Sequence, residues 1–107
     1  MNAVEIEEAI TDLAEQVFDL ANFPYAFLAA FGNKETTLKR LRKGESNKSD
    51  LGGVLQTGNI HIAVAPRGEV TKILAALKAS PATSRAKAKF VLATDGETFE
   101  AEDLIGD

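Results

Sequence analysis

The sequence contains no cysteine. That excludes a disulfide scaffold, cysteine-ligated zinc, an iron–sulfur cluster and thiol catalysis. It contains one histidine, which excludes any site built from several imidazoles but leaves a Ser–His pair within reach. No apolar run approaches the ~20 residues that span a bilayer, so no membrane partner is expected. Glu5, Glu7 and Glu8 stand where a secretory leader would be basic. A cytoplasmic location is expected, and the missing cysteine fits it.

What is present is an ordinary globular balance. The 107 residues are 45% hydrophobic and 26% charged. A chain of this length forms one domain and buries roughly 60–65% of its unfolded surface without staples. The net charge of −4 conceals a pattern. Residues 1–20 hold six acids and no base, and residues 95–107 hold six more and no base. All 12 lysines and arginines lie between Lys34 and Lys89, with four acids among them. Lys34, Lys39, Arg40, Arg42, Lys43 and Lys48 form the densest cluster. Such a patch can meet phosphate or an acidic partner. Equally, the acidic ends can fold over the basic middle and neutralise it.

Asn2 followed by Glu5 reads as a capping box, and Ile6, Ile10, Leu13 and Val17 follow at helical spacing. A helix is predicted over residues 3–17, its acids outward and near the favourable end of the dipole. Pro24 opens a second helix that buries Phe27, Leu28 and Phe31 and stops at Gly32. Asn33 is expected to cap a third, with Leu38 and Leu41 inward, its basic residues mostly outward and Gly44 as terminator. Two strands, residues 53–57 and 60–65, flank a Gly58-Asn59 turn. Val70, Ile73, Leu74 and Leu77 predict a helix over residues 69–79, ended by Ser80-Pro81. Residues 89–94 and 97–101 form a second hairpin about Asp95-Gly96. The order ααα-ββ-α-ββ predicts an α/β (α+β) fold with a small mixed four-stranded sheet flanked by helices. Its central strands are joined in parallel by a helical crossover.

Three kinds of chemistry have partial support in the residues. Gly52-Gly53 precedes a strand instead of linking strand to helix, so the nucleotide-loop pattern fails and a strand-start role is expected. No G-x-S-x-G elbow accompanies His61, which reads as a structural histidine between Ile60 and Ile62. A metal-dependent nuclease would place an Asp on one strand and Glu-x-Lys on the next. The scaffold order fits such a frame, but the strands carry Leu55, Ala63 and Ala65 there. Asp50 and Glu69 flank the hairpin and make a migrated metal pair conceivable.

Several blocks in order carry a resemblance. They are Phe23-Pro-Tyr-Ala-Phe-Leu, Phe31-Gly-Asn-Lys, Lys39-Arg-Leu-Arg, Asn47-Lys-Ser-Asp-Leu-Gly-Gly-Val-Leu-Gln, Asn59-Ile-His-Ile-Ala and Ala88-Lys-Phe-Val-Leu-Ala-Thr-Asp-Gly-Glu. The chain resembles the N-terminal domain of MmeI-like bacterial DNA methyltransferases, single-chain restriction–modification enzymes or their solitary relatives. The resemblance implies a nuclease-like domain first. A helical spacer, an adenine-N6 methyltransferase domain using S-adenosylmethionine and a target-recognition domain would follow. Cleaving members carry the Asp and Glu-x-Lys set on the hairpin, at the positions of Leu55, Ala63 and Ala65 here. The resemblance therefore implies a degenerate restriction-endonuclease-like frame with no catalytic residues and no metal site.

The chain holds neither a glycine-rich S-adenosylmethionine loop nor an Asn-Pro-Pro-aromatic motif. Residues 1–107 are accordingly expected to be a single N-terminal domain of a longer chain, with no cofactor of their own and S-adenosylmethionine in the parent. The expected function is a non-catalytic accessory domain that helps hold DNA. Lys39, Arg40, Arg42, Lys43, Lys48 and Arg67 are the expected phosphate contacts. Two alternatives remain at this point: a module docking on the other domains of the parent, and a residual metal-dependent nuclease using Asp50 and Glu69.

Overall fold

The computed structural model describes residues 2–14 and 19–104. Asn2 caps the first helix, α1 (Ala3–Ala14), by accepting the Glu5 amide at 2.9 Å. The predicted extension of this helix over residues 15–17 lies outside the described residues. Helix α2 (Phe23–Ala30) opens on Pro24, as expected. It ends at Gly32, whose φ of 87°, with the Gly32 amide returning to Ala29 and the Asn33 amide to Leu28, forms a Schellman close. Helix α3 (Glu35–Arg42) turns Leu38 and Leu41 inward and leaves Lys39, Arg40 and Arg42 exposed.

Strands β1 (Val54–Gln56) and β2 (Ile60–Val64) pair antiparallel. Helices α4 (Val70–Ala79) and α5 (Pro81–Arg85) then cross to β3 (Phe90–Thr94), which pairs parallel with β2. Strand β4 (Phe99–Asp103) closes the sheet antiparallel to β3. The strand order β1-β2-β3-β4 follows the chain, so the predicted mixed four-stranded sheet is observed.

Both sheet faces are covered. Val54, Ile60, Ile62, Phe90 and Leu92 pack under α1–α3 against Ile6, Phe23, Phe27, Leu28, Leu38 and Leu41. Phe27 and Leu28 are wholly buried, each contributing roughly 1.5–3 kcal/mol from the apolar surface it removes from water. On the opposite face Ala63, Ala65, Val91 and Ala93 meet Val70 and Leu77 of α4. Leu55 packs on that same side against Ala86 and Ala88. Lys78 of α4 pairs with Glu102 of β4 at 2.6 Å, and Thr71 donates to Glu100 at 2.6 Å, so α4 is tied across the sheet edge.

Four expectations need correction. Asn33 does not cap α3, because Lys34 occupies that position and no side chain caps it. The Asn33 amide instead donates to the Leu28 carbonyl and its oxygen accepts from Gln56, which ties the α2–α3 joint to β1. Ser80-Pro81 ends α4 as predicted but also starts α5, with the Ser80 hydroxyl accepting the Ala82 amide, so the order is ααα-ββ-αα-ββ. The first hairpin loop is three residues, 57–59, because Gln56 pairs with Ile60. Finally, β4 starts at Phe99 and not at residue 97, because Asp95 draws the amides of Glu97 and Thr98 onto Oδ1 and holds them in the turn.

Candidate nucleic-acid interface

The basic cluster starts on α3, whose buried Leu38 and Leu41 turn Lys39, Arg40 and Lys43 to solvent. Arg40 approaches Glu45 at 3.9 Å, an open contact that leaves both side chains mostly exposed. Arg42 is held: its guanidinium stacks 4.2 Å over the Tyr25 ring and donates to the Asn22 side chain. It therefore staples α3 to α2, although it remains exposed. Eight bases make no ion pair among the described residues: Lys34, Lys39, Arg42, Lys43, Lys48, Arg85, Lys87 and Lys89.

The segment carrying Lys48 is ordered by its neighbours. Asn47 accepts the Leu55 and Ser49 amides and donates to the Gly53 carbonyl, so one side chain holds residues 47–53 against β1. Ser49 contacts Nε2 of the fully buried His61 at 2.7 Å, and Nδ1 of His61 contacts the Thr83 hydroxyl at 2.8 Å. Thr83 spends its only hydroxyl hydrogen on the Leu77 carbonyl at 2.7 Å. It must then accept from Nδ1, which leaves Nε2 to accept from Ser49. A second strap runs beside the first, from the Ser80 hydroxyl to Asp50 at 2.7 Å. That bond holds the Asp50 carboxyl below its ordinary range, while burial pushes the His61 imidazole down and the Asp50 charge partly offsets it.

His61 is thus a structural histidine, as its place between Ile60 and Ile62 predicted. A serine–histidine contact exists, yet Ser49 also accepts the amides of Leu51 and Gly53. Its oxygen is a loop fastener.

Of the predicted contact residues, Arg40 and Lys48 come together. Arg40 lines a groove that shares Thr57 with a second groove lined by Lys48 and Arg85. Lys39 and Lys43 stay on the exposed side of α3. Arg67 does not join them. It lies beyond the far end of β2, a strand of ~13 Å, and pairs with Glu97 at 3.1 Å. That end is acidic: Asp95 accepts the Gly68, Glu97 and Thr98 amides, which lower its carboxyl to about 2. The sequence reading missed Arg85, Lys87 and Lys89. The Gly58 amide donates to Ala86 and the Lys89 amide to Asn59, both at 2.7 Å, which brings these bases beside the first hairpin turn. Ser80-Pro81, read as a helix start as well as a stop, would have pointed to Arg85.

The positions expected to be empty of metal ligands are core. Leu55, Ala63 and Ala65 are all buried under the α4–α5 side. Asp50 and Glu69 do not converge. Asp50 bonds Ser80, just past the C-terminus of α4, whereas Glu69 precedes its N-terminus and pairs with Lys72. A ten-residue helix of ~15 Å separates them. Nor does Gly52-Gly53 offer room for a cofactor. A Cβ on Gly53 would lie 2.2 Å from the Ile62 carbonyl oxygen, so its bare backbone is spent on β2. These residues do not fit S-adenosylmethionine or a divalent ion.

The family model described as MmeI, N-terminal domain, matches residues 1–107. The chain belongs to that family. No curated protein and no solved structure matches it. No helix among the described residues of this MmeI N-terminal domain is long and apolar enough to cross a membrane.

Proposed function

We propose that this MmeI N-terminal domain is a non-catalytic accessory domain of a DNA (adenine-N6) methyltransferase that helps hold DNA by its phosphates. Its frame is that of a nuclease whose metal positions have become aliphatic, and S-adenosylmethionine belongs to the parent chain. The observation that carries the reading is the set of eight bases without ion pairs among the described residues, four of them (Lys48, Arg85, Lys87 and Lys89) beside the first hairpin turn. Internal neutralisation reaches other bases: Arg67 and Lys78 take Glu97 and Glu102. Cations left in water beside a turn suit a phosphate backbone, where binding releases condensed counterions.

The test is fluorescence anisotropy of a labelled duplex against salt concentration, using the 107-residue chain. Binding should weaken steeply with salt, and the combined variant Lys39→Glu/Arg40→Glu/Lys43→Glu should weaken it at every sequence tested. Absence of salt-sensitive binding at low ionic strength would overturn the proposal. Cross-links from these bases to protein alone in the parent would assign them to docking instead.

A further inference from the structure

We propose that the groove between Lys48 and Arg85 seats one backbone phosphate of duplex DNA, with the Thr57 hydroxyl at its rim. The inference rests on the accessory DNA-holding role and names the place where it is exercised.

The groove holds about 300 Å³ and is lined by Lys48, Thr57, Ala82, Arg85 and Ala86. Two cations and a hydroxyl above an alanine floor match a phosphodiester: charge for the non-bridging oxygens, with no acid in the lining and the neighbouring Asp50 carboxylate bonded to Ser80. Neither Lys48 nor Arg85 makes an ion pair among the described residues.

Two further observations point to the same place. Lys87 has a φ of 56°, and among the described residues no other residue except glycine has a positive φ. It occupies the left-handed position that closes α5, where the Lys87 and Ala88 amides return to Ser84 and Thr83. Glycine would sit there without strain, so the lysine brings a third cation beside the groove at a conformational cost. The two walls are also fixed to each other. Ser49, adjoining Lys48, and Thr83, two residues before Arg85, bind opposite nitrogens of His61. Asp50 and Ser80 repeat the link. The cations project from a rigid frame, which reduces the ordering cost of binding.

The experiment compares wild type, Lys48→Gln/Arg85→Gln and the far-side control Lys72→Gln in the same duplex titration. Thermal melting is recorded for each, because both groove side chains are exposed and their loss should leave the fold intact. The double variant should bind about tenfold more weakly at about 50 mM salt, with a log–log salt slope shallower by about one unit. Lys72→Gln should match wild type. In wild type, DNA should shift the amide resonances of Thr57, Ala82 and Ala86. Unchanged affinity in the double variant, or shifts confined to other surfaces, overturns the groove while leaving the accessory role standing. Loss of all salt-sensitive binding by wild type overturns the role itself. Equal displacement by polyglutamate and by unlabelled duplex would assign the groove to an acidic protein surface and overturn it as a phosphate site.

Discussion

Ser49 donates its hydroxyl hydrogen to Nε2 of His61 across 2.7 Å. The direction is dictated from the other side of the ring, where Thr83 has already given its hydrogen to Leu77. Burial disfavours the charged ring, so the neutral imidazole carries its hydrogen on Nδ1 and is set in one orientation.

The first prediction concerns pH. Burial depresses the folded pKa of His61 below the ordinary 6.5, and Asp50 only partly restores it. The unfolded chain then binds more protons than the folded one between the depressed value and 6.5. Stability should be fully present above that window and should fall as pH drops through it. Urea unfolding from pH 7.5 to 5 should show this slope. His61→Leu should lack it and should lose about 1–3 kcal/mol at pH 7.5, because Ser49 and Thr83 are left without a partner. An unchanged slope in the variant would remove His61 as its origin.

Gly53→Ala should destabilise the domain by about 1–3 kcal/mol. The new methyl would meet the Ile62 carbonyl oxygen and the Ala63 Cα, both backbone atoms that can move only by separating β1 from β2. Equilibrium denaturation measures the loss, and amide exchange at Leu55 should quicken with it.

Lys87→Gly should have the opposite sign on stability, raising it by about 1 kcal/mol through relief of the left-handed residue. The same change should weaken duplex binding. Stability and affinity moving apart at a single residue is the signature to look for, and parallel movement would deny Lys87 a part in binding.

Introducing the carboxylates that the proposed nuclease-like frame would call for should not produce cutting. Leu55→Asp and Ala63→Glu would each place a carboxylate in fully packed core, against Ala86 and Ala88 or against Leu77 and Val91. Each should cost about 3 kcal/mol or more. Plasmid incubated with Mg²⁺ and the double variant should stay supercoiled, and its melting temperature should fall sharply. Nicking by a folded variant would contradict this account.

The fold was legible wherever burial has a period. Leu38 with Leu41 and Val70 with Leu77 specify their helices because one face of each is apolar, and the β-branched run of Ile60, Ile62 and Val64 specifies a strand although both its faces are covered. Asn33 and residue 97 misled for a shared reason. Short polar side chains have several local partners, and the winner is set by chain segments distant in sequence or by a neighbouring turn. Asn33 answers Gln56, and Asp95 claims the amides that would have begun a strand.

The basic cluster was half legible. The run from Lys39 to Lys48 is dense enough to see, and Arg67 looked like part of it. Folding reverses that grouping. Strand β2 carries Arg67 to the acidic end, while the α4–α5 crossing returns Arg85 and Lys87 to the hairpin turn.

The sequence by itself determined four of the five helices, the mixed sheet, and the absence of thiol and multi-imidazole chemistry. These follow from composition and from side-chain periodicity, which act locally. Tertiary structure alone decided which cations share a surface, which hydroxyl serves His61, and why Gly53 must be glycine. Each of these depends on a distance between residues apart in the chain, and those distances exist only once β1, β2 and β3 lie side by side.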